Sequence, residues 1–392
     1  MMRSIAFLCV CAAAFSAEPV ERPRLPPDLE RIAQLANASP AEFAADALLR
    51  VAAVTKVDRR LRMELIDRAF HVATGAQFHT PLTAVSQLPD TTAGMVASAA
   101  KLNLDTLSLQ ARAVRGMLEL DKKAARQLFL DINLPAIEPR TCDQVLVPDA
   151  SALYDVLAAV ANSTFTEQER QKEEHINLVL TYMSRALQTP ALSQMIQSLN
   201  VTAEQRDILT ARLGGLRPAE PACPAETKST KASEREDAFW KSERAKRLFD
   251  GGLRLRSKDN GNPYTSAERD SDVWYQQLTD YMKDLADWRS SDEKDEATYF
   301  HQKAIVYEML VELIPRGRER DNAIQSYVDF VANSNLQREK PVEWFFHAQS
   351  LVTRIRNLNQ SEAGKITAAF ESSGNPVLLL YTELEKQNLS HT

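Results

Sequence analysis

The 392-residue sequence lacks most of what would announce a chemistry. Basic charge is not in excess: 47 lysines and arginines stand against 53 aspartates and glutamates, a formal net charge of −6. No dense basic face of the kind that neutralises phosphates is visible, which argues against a nucleic-acid partner. Past the first residues no apolar run reaches the ~18–20 residues a helix needs to cross a bilayer. No stretch alternates polar and apolar residues for long enough to make a convincing sheet. Leu378-Leu379-Leu380-Tyr381 is the best strand candidate, and it sits where Pro376 opens a last helix. Cysteine is limited to four residues. A chain of this length buries roughly 70–75% of the surface its unfolded form exposes, so it folds without a lattice of disulfides or a metal.

Catalytic and binding motifs are missing as well. Glu173-Glu174-His175 has no second histidine to complete a zinc-protease motif. Asp259-Asn260-Gly261-Asn262-Pro263 places glycine and proline where a calcium loop needs oxygen donors. Gly214-Gly215 and Gly251-Gly252 follow no strand and cradle no phosphate, and no nucleophile elbow is present. His71 and His79 stand near Glu64 and Asp67 at a spacing that fits no ligand pattern. No cofactor and no metal are implied.

What is present begins with MMRSIAFLCVCAAAFSAEPV. Arg3 supplies a positive start, Ile5 to Phe15 an apolar stretch too short to span a bilayer, and Ala14 and Ser16 the small residues of a cleavage site before Ala17. Residues 1–16 therefore read as a cleavable export signal, and a buried first helix is the alternative. A lipoprotein signal does not fit, because Leu8 precedes Cys9 and Val10 precedes Cys11. Export leaves Cys142 and Cys223, which are expected to form one disulfide in an oxidising compartment or else to remain two separate thiols. The mature chain is expected to work in the periplasm or outside the cell, with no transmembrane segment.

Beyond Pro27 the chain reads as helix, short turn, helix. Ser39-Pro40-Ala41-Glu42 has the form of a capping box, and Phe43, Ala47, Leu48, Val51 and Ala52 make an inner face with a 3.6-residue period. Further helices are expected at about 58–73, 91–102, 105–118, 121–132, 151–161 and 167–187, another starting at Thr189-Pro190, and one at 203–213. A second series is expected at about 236–255, 266–288, 293–314, 318–333, 341–357, 361–372 and 376–387. Residues 217–236 carry three prolines and almost no large apolar side chain, which marks a linker. The composition changes across it. Residues 17–216 contain no tryptophan, whereas all four tryptophans, with seven phenylalanines and seven tyrosines, follow it. The expected organisation is a helical domain at 17–216, the linker, and an aromatic-rich helical domain at 237–392. The fold class is all-α, an irregular α-solenoid of antiparallel helix pairs with two helical subdomains as the close alternative.

Candidate site residues fall in the second half. His301 lies beside the stripe Phe300, Ala304, Tyr307, Val311 and Ile314, with Glu308 two turns on, and His347 follows Trp344. Trp288, next to Arg289 and a polar run, is the tryptophan expected to be exposed. Together Trp288, His301, Glu308, Trp344 and His347 form a candidate groove, although core packing is the plainer account of them. A general base would also need a substrate oxygen within ~3 Å, which no motif supplies.

Two long stretches, FAADALLRVAAV with DRRLRMELIDRAFHVA and LDTLSLQARAVRGMLELDKKAARQLF, and EATYFHQKAIVYEMLVELIP with PVEWFFHAQSLV, resemble exported helical proteins of acidobacterial type. That group has no assigned activity, so the resemblance implies export and an all-helical build and transfers no site residue. GMLELDKKAARQLF is also loosely similar to a tetratricopeptide turn, without that family's 34-residue recurrence or its Trp-Leu-Gly-Tyr pattern. The function expected is an exported helical scaffold that binds protein or peptide. The alternative is a helical polysaccharide hydrolase or lyase with its site in the C-terminal half.

Overall fold

A computed structural model describes residues 24–84, 91–133, 138–142, 144–219, 242–259, 262–293, 295–315, 317–357 and 360–389. The export signal expected at 1–16, Trp240 and most of the expected linker lie outside these residues. The first series of helices is α1 (Pro27–Asn37), α2 (Ala41–Ala53), α3 (Arg59–Val72), α4 (Thr92–Ala100), α5 (Thr106–Leu120), α6 (Lys122–Leu130), α7 (Ser151–Ser163), α8 (Glu167–Gln171), α9 (Glu174–Met183), α10 (Pro190–Ser198) and α11 (Ala203–Gly214). The second is α12 (Glu243–Arg256), α13 (Ser266–Arg269), α14 (Asp272–Asp287), α15 (Glu296–Leu313), α16 (Arg318–Ala332), α17 (Leu336–Glu339), α18 (Pro341–Asn357), α19 (Gln360–Ser373) and α20 (Pro376–Lys386).

Most of these helices start where a short polar side chain satisfies the open N–H groups of a first turn. Asp58, Thr91, Asp105, Asp121, Thr189, Ser242, Ser271, Asp295 and Asn375 all accept such bonds. Thr166 with Glu169, Thr202 with Gln205 and Thr265 with Glu268 make reciprocal capping boxes. The box expected at Ser39 is not made. Pro40 is the cap residue, and the Ser39 hydroxyl donates backwards to the Leu35 carbonyl at 2.9 Å. Two helices expected to be continuous are divided. Glu173 adopts a left-handed conformation with φ 59° and separates α8 from α9, while Ser271 caps a fresh start and separates α13 from α14. Leu378 to Tyr381 are helical within α20.

The fold is all-α and irregular, built of helix pairs stacked in a solenoid-like arrangement. Helix α2 packs on α3, α3 on α5, α5 on α6 and α7, and α7 on α10. In the second series α12 packs on α14 and α15, α15 on α16 and α18, and α16 on α19. The chain then returns on itself: α20 lies against α1 and α2, and α18 against α4. One apolar cluster runs from Leu29 to Leu384. Sheet is confined, among the described residues, to two short antiparallel pairs, Leu82–Ala84 with Leu146–Pro148 and Ser257–Asp259 with Asn262–Pro263. No described helix is long and apolar enough to cross a membrane.

Cys142 is disulfide-bonded, and Cys223, its expected partner, lies outside the described residues, so no disulfide joins two described residues. This proline-bearing connection is held by backbone bonds, Arg140 N–H to Ala219 O at 3.1 Å and the β1–β2 pair at 82–84 and 146–148.

Two glycines answer to geometry. A Cβ on Gly252 would stand 2.1 Å from the Met309 methyl and 2.9 Å from the Tyr281 hydroxyl, so glycine lets α12 approach both α14 and α15. Gly374, at φ 64°, ends α19 in the left-handed conformation that helix C-termini favour.

Candidate functional site

Helix α15 is the most enclosed element in the aromatic-rich half. Asp295 starts it by accepting from both the Thr298 N–H and the Thr298 hydroxyl, each at 2.8 Å. The apolar stripe Phe300, Ala304, Tyr307, Val311 is buried as its spacing predicts, and Thr298, His301, Gln302 and Lys303 are buried with it. His301 and Glu308 are seven residues apart and so share one face. On α18, Glu343, His347 and Ser350 follow a spacing of four and three and share the facing side.

The two faces meet in an unbroken polar chain. Glu343 Oε2 lies 3.2 Å from His301 Nε2. His301 Nδ1 lies 3.0 Å from His347 Nε2, and His347 Nδ1 lies 3.2 Å from Glu308 Oε1. From α16 the Tyr327 hydroxyl donates to Glu308 Oε1 at 2.9 Å, and the Ser350 hydroxyl does so at the same distance. Both imidazoles are excluded from water, at 0% and 1% exposure. The ends are wetter: the Glu308 side chain is 28% exposed, and Lys340, 3.5 Å from Glu343, is 39% exposed. Phe300 packs edge-on against the His347 ring at 5.7 Å.

Burial pushes His301 below its ordinary imidazole value. The bond to Glu343 works against that shift, and the positive charges of His347 and Lys340 add to it. For Glu308 burial acts upwards, but the hydrogen bond and charge of His347, helped by Ser350 and Tyr327, prevail and hold the carboxyl below its usual range. The contacts also fix a proton count. Each of the three ring-nitrogen contacts needs one hydrogen. Three hydrogens, one per contact, therefore fill the chain, and ionised carboxylates would place all of them on the two rings.

The sequence-based candidates divide. His301, Glu308 and His347 are brought together, although Glu308 bonds to His347 and not to His301. Trp344 stands behind them, fully buried, with its indole N–H donating to the Val331 carbonyl at 2.8 Å. Trp288, expected to be exposed, is fully buried; its indole N–H reaches Glu293 at 3.1 Å, and its carbonyl accepts from Lys303 at 2.8 Å. The members the sequence reading missed are Glu343, Ser350, Tyr327 and Lys340. For Glu343 a signal existed, since an acid four residues before a histidine on a helix faces the same neighbour. His71 is a surface residue 3.7 Å from Asp67. Among the described residues no group of three or more histidines, cysteines or acids is arranged to hold a metal ion.

A second buried ionic group ties the ends of the fold together. Asp46 on α2 accepts from Arg112 at 2.8 Å and from the Tyr381 hydroxyl at 2.7 Å, and pairs with Arg50 at 2.8 Å. Arg50 also donates to the Leu389 carbonyl at 3.0 Å.

A separate cleft of about 410 Å³ opens between α12 and α14, lined by Gly251, Arg254, Leu255, Ser257, Tyr264, Gln277 and Tyr281. None of the histidine-chain residues reaches it. No protein-family model, no curated protein and no solved structure matches this chain.

Proposed function

We propose that this chain is an exported helical scaffold that binds a protein or peptide segment, with the cleft between α12 and α14 as its grip. The observation that carries the reading is the chemistry of that lining. Arg254, Gln277, Ser257 and Tyr264 offer hydrogen-bonding groups over an apolar floor of Leu255 and the Tyr281 ring. Such a surface suits the carbonyls or terminal carboxylate of an extended peptide, with a few placed polar groups on an apolar base. The same two helices leave Leu253 41% and Val273 69% exposed, apolar area that a larger partner would cover. Stacked helices provide an extended binding face without specialised loops. Among the described lining residues of this cleft there is no acid and no histidine to carry a hydrolase or lyase reading.

The test is selection of peptides from a random display library on the immobilised full chain, followed by calorimetry of the peptide selected. Arg254→Ala is expected to weaken binding at least tenfold with an unchanged melting temperature. A selection that enriches nothing, or peptides indifferent to Arg254→Ala and Gln277→Ala, rejects the reading. The export component rests on Arg3, the Ile5–Phe15 stretch and the small residues Ala14 and Ser16. Intact-mass measurement of the protein from a secreting host is expected to give a chain that begins at Ala17.

A further inference from the structure

The chain Glu343–His301–His347–Glu308 has a property that neither scaffolding nor packing requires. Its middle contact joins two ring nitrogens, His301 Nδ1 and His347 Nε2, at 3.0 Å with no water-accessible surface on either ring to speak of. Only one hydrogen fits between them. The outer nitrogens face carboxylates, and each of those contacts also holds one hydrogen. Three protons therefore satisfy all three contacts. A fourth proton on the rings would place two N–H groups head to head and two imidazolium charges with ring centres 5.2 Å apart in a dry seam. Loss of the third would leave one nitrogen facing a carboxylate with no hydrogen between them.

We infer that the seam between α15 and α18 is a proton-counting latch, closed only while Glu343, His301, His347 and Glu308 share three protons and released by a fourth. Among the described residues, the surroundings supply no other home for that proton inside the seam. On α15 itself Lys303 turns away, to the Trp288 carbonyl and the Tyr299 hydroxyl. From α16 only the Tyr327 hydroxyl reaches the chain, and Lys340 reaches it from the residue before α18, with Asp295 in the field of that same lysine. Helix α4, which packs on both α15 and α18, has no ionisable residue. On α17, Arg338 and Glu339 are exposed. On α19 and α20, Lys365 pairs with Asp321, and Lys386 pairs with Glu371 and Glu383. Arg244 on α12 pairs with Asp284 and Asp292.

The direction follows by linkage. His301 titrates lower in the fold than its ordinary 6.5. Below that value the unfolded chain binds more protons than the folded one, so stability held above about pH 6.5 is lost as pH falls towards the lowered folded value. The latch opens on acidification.

The experiment is hydrogen exchange of the full chain at pH 7.5 and pH 5, corrected for intrinsic rates, together with nitrogen-15 spectra of the histidine rings. Exchange in 296–313 and 341–351 is expected to accelerate at least tenfold at pH 5 relative to α5, with one doubly and one singly protonated ring in the pair at pH 7.5. His301→Gln, whose amide both donates and accepts without titrating, is expected to remove the acceleration. If His301→Gln fails to fold, the ring spectra and exchange of the unaltered protein still decide. Segments that track α5 at both pH values, or two rings that stay neutral throughout, overturn the latch. This outcome is independent of whether the α12–α14 cleft binds peptide.

Discussion

The protein buries charge in two places, and they are built from opposite materials. At the α2–α20 junction Asp46 is wholly enclosed and meets two guanidinium groups and a phenol. At the α15–α18 seam two carboxylates meet two imidazoles. Guanidinium stays charged at every pH the fold survives, so the first group changes only when its carboxyl protonates. Burial alone would raise the Asp46 carboxyl, but Arg50 and Arg112, with the hydrogen bond from Tyr381, hold it well below the ordinary range. Its contribution is therefore complete above about pH 3.8 and fades only as pH falls through the lowered folded value. Imidazole titrates near neutrality, so on acidification the second group begins to lose stability below about pH 6.5, before the first does. One junction is a fixed clasp between the ends of the fold, and the other is a joint that acid can loosen.

The sharpest way to break that contrast is Asp46→Asn. It leaves Arg50, 7% exposed, beside a neutral acceptor, and weakens the hydrogen bond that Tyr381 donates across 335 residues of chain. Removing one member of a buried ion group costs about 3–5 kcal/mol. Urea unfolding at pH 7 is expected to show a loss of that size, with α1 and α20 the first helices to exchange. Because the carboxyl stays ionised well below neutrality, the loss should be the same at pH 5 as at pH 7. A loss under about 1 kcal/mol, or one that disappears by pH 5, would show that Asp46 is not the fixed partner described.

The contrast also marks where sequence reading succeeds and fails. Helix positions were legible because apolar periodicity and helix-start residues are local signals: the starts expected at about 105, 203 and 376 are kept by the structure, which caps them with Asp105, Thr202 and Asn375. The Phe300–Val311 stripe was legible for the same reason. It did not disclose that α15 is surrounded, because an enclosed helix also buries His301, Gln302 and Lys303, residues that periodicity assigns to a polar face. Trp288 was misjudged by its polar neighbours, since its burial depends on Tyr299 and Lys303 returning from the next helix. The Asp46–Arg50 pair, four apart inside an apolar stripe, is a local signal that the sequence reading passed over, while its partners Arg112 and Tyr381 lie too far along the chain for any local pattern. Of the histidine chain, two rings and one acid were named as candidates. Their connection could not be, because α15 and α18 meet only through tertiary packing.

Lys303 offers the smallest and most discriminating comparison, since it is a third buried charge with no carboxylate bonded to it. It is 4% exposed, donates to the Trp288 carbonyl at 2.8 Å and to the Tyr299 hydroxyl at 3.1 Å, and stands over the Tyr299 and Phe330 rings. Burial, with the nearby charges of Arg289 and Arg244, brings it down to about 8 from 10.5. Between those values the unfolded chain holds a proton that the fold has released, so stability rises as pH rises from about 8 to 10.5. Lys303→Met keeps an unbranched side chain, one atom shorter, and removes the charge. Its effect at pH 7 is expected to stay within about 1 kcal/mol, since the desolvation it relieves offsets the hydrogen bonds it deletes. The Trp288 carbonyl still accepts from the Tyr299 hydroxyl at 3.1 Å. The gain of the unaltered protein over Lys303→Met should then grow by about 1–3 kcal/mol between pH 8 and pH 10. Parallel stability curves across that range would mean that the ammonium is not held in the dry position between Trp288, Tyr299 and Phe330.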